Sequence, residues 1–172
     1  RKSRWLPGIL NSLGDVNYLA GKTCEAEKYY RRALDLTERD QTNVEVCRAL
    51  NGMALIKNDA GALVEAEELL KRAVSIHEQN SRRWHPYCAT NFTNLGILYT
   101  ALGHFDEAAA MLERAAYIQE KALGKSHPDI AVRLEAQASL YSKTNRLQDA
   151  AECKQKAEQI QKHFDEINRT AS

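Results

Sequence analysis

Cysteines, histidines and carboxylates are the residues of this chain that could do chemistry, and their spacing argues against it. Cys24, Cys47, Cys88 and Cys153 are scattered, with neither a C-x-x-C pair nor a compact Cys/His group. A zinc knuckle or redox pair needs such closeness, so neither is expected and no metal or cofactor is assigned. Cys47 and Cys88 hold nearly equivalent register positions; two reduced, half-buried thiols in a cytoplasmic protein is the reading, over a disulfide. His85-Pro86 and His127-Pro128 lie 42 residues apart, which makes these histidines capping or loop residues at helix starts. His77, His104 and His163 occupy other register positions and converge on nothing. Glu25, Glu27, Glu65 and Glu67 fall on outward faces, where solvation accounts for them. No nucleophile elbow, phosphate loop or inward carboxylate pair is present. The chain reads as non-catalytic.

What remains is polar but chemically quiet, and a strict alanine rhythm sets it in register. Ala26, Ala66, Ala108 and Ala150 are spaced 40, 42 and 42 residues apart. Seven residues after each comes Ala33, Ala73, Ala115 or Ala157. Twelve before each stands Gly14, Ala54, Gly96 or Ala138. Leu10, Leu50, Phe92 and Leu134 precede the same markers by sixteen. A period in this range signals a repeat array.

Within each repeat the apolar residues follow a helical period. Phe92, Leu95, Gly96 and Tyr99 line one helix face, and Phe105, Ala108, Leu112 and Ala115 line a second. Between them Gly103 suits the left-handed residue that ends a helix; Gly21, Gly61 and Asn145 hold that place elsewhere. Each unit is thus helix–turn–helix. Small residues on the first helix, such as Gly14 and Gly96, are expected to face the marker alanines and let the axes approach to about 8–10 Å. The predicted fold is all-α, a right-handed α-solenoid of four antiparallel helix pairs. A single array spans residues 1–163, with repeats at about 4–40, 44–80, 86–122 and 128–163, and a frayed tail at 164–172.

Composition sets further bounds. Of 172 residues, 44% are hydrophobic and 27% charged, which suits a folded soluble domain. A net charge of +1 offers nucleic acid or anionic lipid no attraction by charge alone. No apolar run nears the ~20 residues that cross a bilayer, so no membrane insertion is expected. Arg1 in place of Met suggests a piece of a longer chain.

The alanine and glycine pattern resembles the tetratricopeptide repeat over about residues 4–163. That repeat ordinarily has a period of about 34 residues; the excess here is about two helical turns, one per helix. The 42-residue form resembles kinesin light chain and nephrocystin-3-like repeats. Gly103 through Ala108 and the run from Tyr117 to Asp129, with Gly124, His127 and Pro128, carry the likeness. Trp84-His85-Pro86-Tyr87 and Asp40-Gln41-Thr42-Asn43 depart from it.

This resemblance implies a concave wall lined by the first helix of each pair, and a function in binding a peptide segment of a partner protein. Counted from the marker alanines, the lining residues are Asn11, Asp15 and Tyr18, then Arg48, Asn51, Leu55 and Asn58. They continue as Thr93, Asn94, Ile97 and Thr100, then Glu135, Ser139 and Ser142. Carboxamides and hydroxyls both donate and accept, which suits a bound peptide main chain. Asn11, Asn51 and Asn94 correspond to asparagines that hold cargo in light-chain relatives; Glu135 and Ala136 break the pattern. Asp15 and Leu55 disfavour acidic chaperone tails, and only Arg48, Lys57 or Arg133 could meet an acidic peptide. An adaptor scaffold, with a cargo role like that of the light chains, is the leading reading. The alternative is a spacer or self-association arm of a larger multidomain protein, such as a signalling ATPase. Lys154, Lys156, Gln159 and Gln161 mark a terminal cap. Trp5, Leu6 and Ile9 mark an uncapped edge open to preceding repeats, a partner or self-association.

Overall fold

The computed structural model describes residues 5–37, 44–79, 86–124 and 127–170. Eight helices occupy them: α1 (Leu6–Leu19), α2 (Thr23–Thr37), α3 (Val44–Asp59), α4 (Leu63–Gln79), α5 (Pro86–Leu102), α6 (Phe105–Ala122), α7 (Pro128–Lys143) and α8 (Leu147–Thr170). They pack as sequential antiparallel pairs, α1 with α2, α3 with α4, α5 with α6 and α7 with α8. The chain divides into two compact units, Arg1–Arg83 and Trp84–Ser172. In the first, α2 and α1 also pack on α3; in the second, α6 and α5 also pack on α7.

Every pair turns by one device. Gly21, Gly61 and Gly103 have φ of 73°, 75° and 80°, and Asn145 has φ of 60°. Only glycine, and less readily asparagine, tolerates this conformation. Around Gly21, its own N–H donates to Tyr18 O at 2.9 Å and the Lys22 N–H donates to Asn17 O at 2.8 Å. The same two bonds recur at Gly61, Gly103 and Asn145, so the carbonyls orphaned at each helix end are satisfied. At the other end of a pair, His127 caps α7: its Nδ1 accepts from the Asp129 N–H at 3.2 Å, and Pro128 opens the helix. Pro86 likewise opens α5. His85 and the linkers 38–43, 80–85 and 125–126, including Asp40 to Asn43 and Trp84, lie outside the described residues.

All eight marker alanines are buried. The small residue of the first helix faces the second helix as predicted, but its nearest neighbour there is one turn past the marker alanine; at Gly96 the Ala108 carbonyl is the next contact of an added Cβ, at 3.4 Å. A side chain at Gly14 would collide with the Tyr30 ring, and one at Gly96 with Leu112, four residues beyond the marker alanine in each case. The physical reason is volume: a glycine in the first helix makes room for the bulkiest residue of the second, which an alanine–alanine crossing does not require. Gly52 of α3 faces Tyr30 as well, so the ring sits in a slot between two glycines from two helices.

Leu10, Ala26, Tyr30, Ala33, Ala49 and Ile56 form one core cluster of the first unit, with Leu34 and Met53 against it. Val46, Cys47, Leu50, Ala73 and Ile76 form another. In the second unit Ala131, Leu134 and Ala157 pack with Ile160 and Cys153. Full burial of one such large aliphatic side chain contributes about 1.5–3 kcal/mol.

At the C-terminal end, residues 164–170 continue α8. The segment has no glycine or proline, and Gln161 Nε2 donates to Asp165 Oδ1 at 2.9 Å along the helix surface.

Candidate functional site

The residues predicted to line a wall fall into two groups once packed. On α1 they are tied to α3. Asn11 is fully buried, and its Nδ2 donates to Glu45 O at 2.9 Å and Glu45 Oε2 at 2.8 Å. Asp15 accepts from Tyr30 Oη at 2.8 Å and from Arg48 Nη2 at 2.5 Å, while that guanidinium also donates to Ser12 Oγ at 3.2 Å. Tyr18 Oη donates to Asp59 Oδ2 at 2.6 Å. With helical spacing on α1, these three rungs join two first helices across their length.

Their electrostatics follow from that placement. Burial, reinforced by the Asp59 carboxylate, pushes the Tyr18 hydroxyl up to about 12. Tyr30 is driven further in the same direction, first by burial and then by its hydrogen bond to Asp15. Arg48, half-buried and 3.9 Å from Glu45 Oε2 as well, stands between two carboxylates. Asn11, Asp15 and Arg48 therefore act first as fasteners between helices. Asn51 and Leu55 of α3 are half-buried and Asn58 is exposed, so the accessible part of this face lies on α3.

In the second unit Thr93 is buried, Asn94 half-buried and Ile97 exposed. Thr100 is buried and its Oγ1 donates to Gly96 O at 2.8 Å, within its own helix. Glu135, Ser139 and Ser142 of α7 are exposed; Ser142 Oγ donates back to Ala138 O at 2.8 Å. Thr90, Thr93 and Asn94 of α5 line a cavity of about 90 Å³ with Gln119 of α6 and Asp129 and Val132 of α7. The buried Thr93 hydroxyl has no hydrogen-bond partner among the described residues.

Gln119 joins the two walls of that cavity and is absent from the predicted set. Its Nε2 donates to Asp129 O at 2.9 Å, and its Oε1 accepts from Arg133 Nε at 2.6 Å. Arg133 Nη1 donates on to Gln137 Oε1 at 2.5 Å. Burial lowers the affinity of this guanidinium for its proton, and the two carboxamides compensate by accepting from it. A sequence signal exists for Gln119: eleven residues after each marker alanine stand Thr37, His77, Gln119 and Gln161. The first three are buried polar residues. At Gln119 this recurring polarity serves the neighbouring helix, whereas the Thr37 hydroxyl donates to Ala33 O of its own helix at 2.9 Å.

No three of His, Cys, Asp and Glu converge among the described residues. Cys24, Cys47, Cys88 and Cys153 are free thiols, and burial pushes the Cys153 thiol up, away from the reactive thiolate. No helix of the described residues is long and apolar enough to cross a membrane.

Comparison with known proteins agrees with this geometry. Residues 45–120 match the tetratricopeptide repeat model, and over these residues the chain carries tetratricopeptide repeats. Among solved structures it is similar to BtubC (BKLC) from P. vanneervenii, with 23% identity and a TM-score of 0.74 over 93% of this chain and 65% of that one. It is also similar to the nearly identical TPR-like repeats assigned to a kinesin light chain of Podosopora anserina, with 22% identity and a TM-score of 0.73 over 95% and 78% of the two chains. MamA aligns with 18% identity and a TM-score of 0.60 over 93% and 81%. The chain thus spans about two thirds of BtubC, and these likenesses concern the fold. Among curated proteins, none matches this chain in sequence.

Proposed function

We propose that this chain is a non-catalytic protein-interaction scaffold that holds a peptide segment of a partner protein, a role of the adaptor kind. Tetratricopeptide repeat domains typically mediate protein–protein contacts. The observation that carries the reading here is the α5–α7 face, where Thr93 and Asn94 border a small cavity and the buried Thr93 hydroxyl lacks a partner. A hydroxyl and a carboxamide at the edge of a concavity suit the amide groups of an extended main chain. In the first unit Asn51 holds the corresponding carboxamide position on α3, and Asn11, whose amide donates to Glu45, holds it on α1.

The test is an immobilised peptide library or pull-down comparing the chain with Asn51→Ala and Asn94→Ala forms. Loss of a captured peptide at unchanged thermal stability supports the proposal. Capture that is indifferent to both changes sinks it and moves the interaction elsewhere. A cargo-adaptor role like that of the light chains, cytoplasmic location and partner identity belong to the same proposal.

A further inference from the structure

Helical hydroxyls in this chain have a habit that Thr93 does not share. Ser12, Thr37, Thr100, Ser142 and Thr144 each donate to the carbonyl four residues back, at 2.8–3.0 Å. Thr93, inside α5 and 2% exposed, makes no such bond, and its hydroxyl has no partner among the described residues. A helical threonine ordinarily turns back to its own backbone when nothing else is offered. Thr93 instead lines the cavity of about 90 Å³ between α5, α6 and α7. A buried hydroxyl kept from both water and the helix backbone is destabilising unless a group arriving later bonds to it.

The walls define what the cavity takes. At about 30 Å³ of liquid volume per water, it has room for about three waters. A serine, threonine or asparagine side chain is of that size, and an indole or phenol ring is far too large. Gln119 is a fixed wall, since its Nε2 donates to Asp129 O and its Oε1 accepts from Arg133 Nε. Charge of either sign is disfavoured. Asp129, which lines the α7 side, carries a carboxylate that repels an anion. Arg133 stands behind Gln119 with only carboxamides as hydrogen-bond partners among the described residues, so its uncompensated charge repels a cation. What remains is hydrogen bonding without charge, because the Thr90 and Thr93 hydroxyls both donate and accept.

We infer that this cavity is a selectivity pocket that takes one short, neutral, hydrogen-bonding side chain of a bound peptide: serine, threonine or asparagine. The inference rests on the peptide-binding reading of the α5–α7 face and adds a sequence preference to it. Main-chain contacts give affinity with little choice of sequence, whereas a closed pocket for a side chain gives choice. Thr93 sets that choice, its hydroxyl bonding to the hydroxyl or carboxamide of the guest.

The probe is an immobilised positional-scanning library of short, end-blocked peptides, applied to the chain and to its Thr93→Val, Thr93→Ser, Asn51→Ala and Asn94→Ala forms. One peptide position should favour serine, threonine and asparagine over alanine, tryptophan, aspartate and lysine by about fivefold, the worth of one net hydrogen bond. Thr93→Val should abolish that preference while preferences at other positions persist, and Thr93→Ser should retain it. Valine keeps the shape and removes a hydroxyl without a partner, so Thr93→Val should melt no lower than the unaltered chain. Capture that depends on Asn94 yet shows no such preference, or a preference that survives Thr93→Val, overturns this inference and leaves the peptide-binding reading standing. So does selection of tryptophan or of a charged residue at the position that Thr93→Val alters. A marked fall in melting temperature for Thr93→Val overturns it too, since the hydroxyl is then already engaged within the fold. Capture of no peptide, or capture indifferent to Asn51→Ala and Asn94→Ala, removes the reading and the inference together.

Discussion

Gly52→Ala should destabilise the first unit although it replaces a helical glycine by the best helix former. A Cβ at Gly52 would lie 2.6 Å from both Cε atoms of Tyr30, whereas ordinary contact begins at 3.4 Å. The ring must retreat by on the order of 1 Å, and it has nowhere to go: Gly14 already fits so closely that a Cβ there would lie 2.7 Å from Tyr30 Cδ1. Overpacking of this kind costs about 1–3 kcal/mol. A tilted ring also forfeits its bond to Asp15, a further loss of about 1 kcal/mol. Relief of the glycine penalty returns about 0.8–1.0 kcal/mol. The net effect is a loss of about 1–3 kcal/mol. Urea denaturation followed by circular dichroism, with hydrogen exchange of the α1–α3 amides, measures it. Tyr30→Leu supplies the control, because Leu70 and Leu112 occupy the same register in the next two repeats. In that background the alanine should be neutral or stabilising. If Gly52→Ala raises stability with Tyr30 in place, the slot does not exist and the reasoning fails.

Two further outcomes follow from the polar joints. Removing the carboxamide by Gln119→Ala should cost about 1–3 kcal/mol, because it strips a half-buried guanidinium of one acceptor; unchanged exchange protection of α7 would contradict this. Tyr18 titrates from an ordinary value of 10.0 to about 12 in the folded state. Its raised value means stability that is full below about pH 10 and fades as pH rises toward 12. Alkaline unfolding followed by tyrosinate absorbance should show this dependence diminished in Tyr18→Phe; an identical profile in both forms would refute it.

Much of the fold is legible in the sequence because its determinants are local. Gly21, Gly61, Gly103 and Asn145 announce helix ends through their backbone freedom, and the alanine spacing fixes which faces meet. His127-Pro128 reads correctly as a capped helix start for the same reason. Gly52 was missed because it breaks the repeat register; only Tyr30, brought against it from another helix, gives it meaning. The residues of the proposed binding face were less legible. Thr100 has the right type and spacing, yet its hydroxyl turns to its own backbone. Asn11 and Asp15 have donors and acceptors suited to a ligand, but Glu45, Tyr30 and Arg48 reach them first.

The sequence by itself determined that this chain builds helix pairs, where each pair turns, and which positions are small. Those are properties of spacing and backbone conformation, and they need no knowledge of neighbours. Tertiary structure alone decided which polar groups are occupied. A carboxamide presents the same hydrogen-bonding groups wherever it stands, and packing across tens of residues decides which neighbour it fastens, as with Glu45 for Asn11 and Arg133 for Gln119.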